Sequence, residues 1–251
     1  MKQTSNFYEQ QANFYSSVAL THRLNDRGAK LLGAGKYEEA INMLVQALKL
    51  WEQVADDETC PCRHCALEEC IIKTLPDSSP LRRHTPLKSA FCQPVASEEQ
   101  ACHELDSEDR FIYKRPIYAP SKFMQKDHFP GITLSLIIIL NLAMAHHLSA
   151  IQHNHCRKRL QKALQLYELA HQLQLEEEIY SPRATMIIAN NVGEIHRAVH
   201  NYNKHSMCLQ HLLSTMMYMI DCRIPVSSIE LEGFFRNTSQ LILHNNCASA
   251  A

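Results

Sequence analysis

At 251 residues the chain is long enough for one or two domains with a buried core. Its formal net charge of -1 leaves no global field to draw it to nucleic acid or an anionic membrane. Six Gly and ten Pro argue against a turn-rich all-β fold. The opening MKQTSNFYEQQANFYSS has no apolar core of signal-peptide length. Ten Cys without such a leader read as reduced thiols of a cytoplasmic or nuclear protein. In that setting the sequon Asn237-Thr238-Ser239 has no meaning for glycosylation.

Residues 15–55 carry helical periodicity. Leu24, Gly28, Leu31 and Leu32 share one face at three- and four-residue steps, and Gly33-Ala34-Gly35 breaks that helix. Tyr37, Ala40, Ile41, Leu44, Ala47, Leu48 and Trp51 then restart the period, so the segment is a helical hairpin.

Residues 56–130 lose the period. Pro61, Pro76, Pro80, Pro86, Pro94, Pro116 and Pro120 lie among many Ser, Asp and Glu, the composition of an irregular insertion. Within it, AFCQPV (90–95) and RFIYKRPIYA (110–119) are short apolar stretches that would make a small β-ribbon, although each contains a Pro. CPCRHCALEEC (60–70) has thiolate and imidazole donors suited to zinc: Cys60, Cys62, Cys65 and Cys70, with His64. The tight Cys60-x-Cys62 spacing lacks a matching second pair. No metal site is therefore expected, and a zinc-binding regulatory segment over 60–103 stays as the alternative.

Residues 131–222 are helical again. ITLSLIIILNLAMAHHLSAI (132–151) nearly has the length of a membrane span. Asn141, His146 and His147 would be costly in lipid, which favours a buried helix. After the polar turn QHNH, an apolar stripe of Leu160, Ala163, Leu164, Tyr167, Ala170 and Leu173 opposes Arg157, Lys158, Arg159 and Lys162. Ser181-Pro182 opens the next helix, HNYNK turns, and HSMCLQHLLSTMMYMI follows. Over 228–246, Leu231, Phe234, Phe235, Leu241 and Leu243 make an amphipathic face, read as a cap on the helices before it or as a docking helix.

Set one under another, these hairpins share a pattern. Gly28 is followed by Gly35 and Tyr37 in the turn, then by Ala40, Leu44, Ala47 and Leu48. Ala143 is followed by Ala163, Tyr167 and Ala170, and Gly193 by Tyr202, Leu209 and Leu212. This resembles the tetratricopeptide repeat, in which small residues let two helices cross closely. The separation of Ala143 from Ala163 requires about two extra helical turns in the second hairpin. The third departs at His205, where a small residue is expected.

The resemblance implies an all-α, tetratricopeptide-like hairpin array, an α-solenoid, with a long insertion after the first hairpin. It implies a function as an adaptor or scaffold that binds a peptide or protein segment in a concave groove. In that family the residue two before the small position faces the groove, where an Asn holds peptide backbone. Here those residues are Asp26, Asn141 and Asn191, with Asn25 and Asn190 one place earlier and His147, Glu194 and Arg197 on the same face. The competing reading is that these amides only satisfy polar groups inside the fold. No phosphate loop, nucleophile elbow or HExxH is present, so no enzyme, cofactor or nucleic-acid partner is expected.

Overall fold

The computed structural model describes residues 2–55, 110–119, 131–176, 181–223, 231–239 and 241, with side chains from Tyr15 onward except at 54–55 and 131–132. All regular structure among them is helical. The elements are α1 (Lys2–Gly33), α2 (Tyr37–Ala55), α3 (Gly131–Gln152), α4 (Arg157–Glu176), α5 (Pro182–Ala198), α6 (Tyr202–Asp221) and α7 (231–239). Two compact units divide the chain: Met1–Thr74 with Lys114–Ile179, and Leu75–Tyr113 with Tyr180–Ala251.

The first unit holds the hairpins α1–α2 and α3–α4. α1 ends as the glycines require. The Lys36 N–H donates to the Leu31 carbonyl at 2.9 Å and that of Gly35 to Leu32 at 3.1 Å, with Gly35 at φ +74°. This is a Schellman cap, whose left-handed residue is least costly as Gly. α1 and α2 cross at Gly28, where an added Cβ would stand 2.6 Å from Leu44 Cγ and 3.5 Å from the Ala40 carbonyl oxygen. The period of α2 buries Ala40, Leu44, Ala47 and Trp51. α3 and α4 each run about one turn further beyond Ala143 and before Ala163 than their counterparts in the first hairpin. That accounts for the longer spacing. The apolar run Thr133–Gln152 has the length and composition of a membrane span, yet 83% of it is buried within the protein. Glu38 of α2 accepts from Ser149 of α3 (2.9 Å) and from Arg159 of α4, and that Arg159 bond holds its carboxyl below the usual range.

The second unit holds the hairpin α5–α6 and the helix α7. Ser181 caps α5, its Oγ accepting from the Ala184 N–H (3.3 Å) with Pro182 in the first turn. α5 ends where the Asn201 N–H donates to the His196 carbonyl (2.7 Å) and His200 adopts φ 61°. Asn201 then caps α6 by accepting from the Lys204 N–H. The helices cross at Gly193, where an added Cβ would lie 3.2 Å from Cys208 Cβ. Cys208 is thus the small residue facing Gly193. His205, one turn earlier, donates from Nδ1 to the Gly193 carbonyl (3.0 Å).

Three expectations change. The segment 110–119 forms no strand; its main chain is bound by side chains instead, while 90–95 lies outside the described residues. Tyr202, the aromatic after the turn in the repeat pattern, stands exposed with its hydroxyl 3.1 Å from His200 Nδ1. On α7, Phe234 is buried but Phe235 faces solvent. α1 begins well before residue 15. Cys60, Cys62, Cys65, Cys70 and most of the 56–130 insertion lie outside the described residues, as does Leu243.

Candidate main-chain-binding site

Residues 110–119 have neither helix nor strand, yet Tyr113 and Ala119 are buried. Their peptide groups therefore need partners. In an antiparallel sheet a residue exchanges both its N–H and its C=O with one neighbour. A carboxamide presents one donor and one acceptor side by side, so a single Asn can replace that neighbour.

In the second unit two residues are held this way. The Phe111 N–H donates to Asn237 Oδ1 (3.1 Å), and Asn237 Nδ2 donates back to the Phe111 carbonyl (2.7 Å). The Tyr113 N–H donates to Asn191 Oδ1 (2.9 Å), and Asn191 Nδ2 donates to the Tyr113 carbonyl (3.0 Å). Asn190 ties the two together. Its Nδ2 donates to the Phe111 carbonyl (3.1 Å) and to Asn191 Oδ1 (3.0 Å), and its Oδ1 accepts from Asn237 (2.7 Å). This network fixes the orientation of each amide, because every oxygen meets an N–H.

The side chains of this stretch fit α5 and α7. The Phe111 ring occupies the space above Gly233, where an added Cβ would lie 2.4 Å from it. It meets the Phe234 ring edge to face at 5.2 Å. Tyr113 lies parallel to Phe234 at 6.0 Å, and its hydroxyl accepts from Arg183 Nη2 (3.1 Å).

In the first unit the same device holds Ile117. Its N–H donates to Asn141 Oδ1 (2.9 Å), and Asn141 Nδ2 donates to its carbonyl (2.7 Å). Asn25 Oδ1 accepts a second bond from Asn141 Nδ2 (3.1 Å). Pro116 lies over Gly33 of α1, 3.2 Å from where a Cβ would be. Ala119 enters the core formed by Val18, Ala47, Trp51, Leu134, Ile137 and Ile138. The Ala119 carbonyl accepts from His22 Nε2 (3.2 Å).

Of the residues expected on the groove face, Asn141, Asn190 and Asn191 bind main chain directly. Asn25 supports Asn141. Asp26 does not reach the segment itself: it lies 3.4 Å from His22 Nδ1, behind the imidazole that does. Glu194 and Arg197 pair with each other at 3.0 Å, and Arg110 lies in their field. His147 is not on this face. Its ring is buried edge-on against Tyr167 of α4, at 6.3 Å, because six residues beyond Asn141 a helix has turned well away. Burial pushes its pKa down to about 3.

Asn237, Gly233, Phe234, Arg183 and His22 were not anticipated. One signal for Asn237 was present. Asn141-Leu-Ala143, Asn191-Val-Gly193 and Asn237-Thr-Ser239 share the order Asn, any residue, small residue. As a sequon Asn237 is also inaccessible, since it is buried. Among the described residues no group of His, Cys, Asp or Glu is arranged to hold a metal. The ladder itself is neutral; what it offers is paired donors and acceptors for an extended backbone. No family model, curated protein or solved structure matches the chain.

Proposed function

We propose that this chain is a protein-interaction scaffold of tetratricopeptide-like design, built to hold extended polypeptide by its main chain. One observation carries the reading: separate helices each offer an Asn carboxamide that takes both the N–H and the C=O of one extended residue. Such contacts read backbone and leave side-chain choice to neighbouring pockets. The close crossings at Gly28 and Gly193 support the repeat assignment, since that architecture depends on small residues there. The partner is a protein or peptide segment, met in the cytoplasm or nucleus. Neither catalysis nor a cofactor has a role in this reading.

Display selection of random ten-residue peptides against the full chain, wild type and Phe111→Ala, tests the proposal. Enriched peptides should bind in calorimetry and lose affinity when single backbone amides are N-methylated. A library that returns no binder for either form would discard it.

A further inference from the structure

Resting on that reading, we infer that the α5–α7 face of the second unit is a receptor for extended segments of the pattern aromatic-x-tyrosine, and that Phe111-Ile112-Tyr113 is its resident occupant in cis. The site is specified in chemical detail by what fills it. Its first position takes a flat ring, because only Gly at 233 leaves space for one: the nearest Phe111 carbon is 2.4 Å from where a Cβ would be. Phe234 then offers its edge-to-face contact to this ring and its parallel face to the next aromatic. The third position takes tyrosine over phenylalanine, because Arg183 Nη2 donates to the hydroxyl (3.1 Å). At both positions the main chain is held by carboxamides from α5 and α7.

None of these contacts requires the occupant to belong to the same chain. A partner segment with the same two rings, two apart in extended backbone, would make every one of them. What the resident segment has is covalent attachment, which supplies a high effective concentration and raises the apparent Kd of any competitor. The site is therefore a guarded one. A partner binds by displacing 111–113, and a weakened resident exposes the site.

The probe is a fluorescent peptide of sequence RFIYKR, titrated by polarisation against the full-length chain. Phe111→Ala should bind it at least roughly tenfold more tightly than wild type, because the resident competes less well. Replacing the peptide's Tyr by Phe should weaken binding severalfold, and N-methylating that Tyr should abolish it. Equal affinity for wild type and Phe111→Ala, or indifference to N-methylation, would overturn the inference.

Hydrogen exchange on the wild-type protein decides the matter if Phe111→Ala fails to fold. Displaceable residues open locally, so the Phe111 and Tyr113 amides should exchange well ahead of those of Ile187 and Ile188 in α5. Exchange of all four only together, through global unfolding, would make 111–113 an integral part of the core and end the proposal. If selected peptides of other patterns bind while RFIYKR does not, the receptor assignment fails and the scaffold reading stands.

Discussion

Gly28 and Gly193 look alike in the sequence, each a poor helix former inside a helix. The space around them differs. A Cβ at Gly28 would stand 2.6 Å from Leu44 Cγ, whereas one at Gly193 would meet Cys208 Cβ at 3.2 Å. Gly28→Ala gains up to about 1 kcal/mol in propensity and must push Leu44 aside, at a cost of about 1–3 kcal/mol. It should lower the urea midpoint. Gly193→Leu must place a whole side chain against Cys208 and His205, and should destabilise by at least as much. A higher midpoint for either variant would place that glycine at a free surface. Cys208 invites a second test. Burial pushes its thiol up to about 12, while Cys222 is exposed. Brief alkylation at pH 8 followed by peptide mass spectrometry should modify Cys222 and leave Cys208 untouched until the protein is unfolded.

At the scale of elements, the asparagines work with the helices that carry them. α5 is buried from Ala184 to His196. Residues 111–113 cover the part of it that carries Asn190 and Asn191. Truncating Asn191 to Ala would remove the bonds it makes to the buried Tyr113 N–H and C=O, at about 1–3 kcal/mol for each group. Asn191→Ala should therefore lower stability well beyond a surface substitution, and Asn237→Ala should do likewise through Phe111. Asn191→Asp keeps the acceptor and loses the donor, so its loss should exceed what shape alone predicts. If denaturant unfolding of Asn191→Ala matches wild type, the ladder bonds are not formed in solution. Gly233→Ala tests the ring seat separately. Its Cβ would overlap the Phe111 ring, so Phe111 must leave its place, and the loss should shrink when Gly233→Ala is combined with Phe111→Ala.

For the molecule as a whole, buried histidines set the response to acid. Burial lowers His147 to about 3 and His196 to about 4 from the ordinary 6.5. Both are neutral in the folded chain, whereas the unfolded chain takes up protons as pH falls below about 6.5. Their contribution is thus fully present above 6.5 and is lost progressively as pH falls toward 4 and then 3, at up to ~1.4 kcal/mol per pH unit per His. Glu38, lowered from 4.5 by Arg159, adds to the acid sensitivity once pH falls through about 4.5. Urea unfolding at pH 7, 6 and 5 should show falling stability, and His147→Leu should flatten the slope. Equal stability across those three values would mean that these rings are not buried neutral. The ladder amides carry no charge, so the affinity of an uncharged peptide for them should vary little between low and high salt.

What the sequence determined by itself is local. The hairpins, the break at Gly33-Ala34-Gly35 and the helix start at Ser181-Pro182 follow from 3.6-residue periodicity and from conformational preferences within a few positions, and the small residues at the crossings from the repeat resemblance. Asn141 and Asn191 were marked by the resemblance to the tetratricopeptide repeat, two places before a small residue. Tertiary structure decided what those amides hold. Asn141 meets Ile117 across 24 positions, Asn191 meets Tyr113 across 78, and Asn237 meets Phe111 across 126. RFIYKRPIYA contains Pro116 and is followed by Pro120, and it reads as loop or ribbon because its main chain is bound by side chains far away in sequence. A segment whose main chain is held by distant side chains, three Asn amides and the His22 imidazole among them, leaves no period of its own to read.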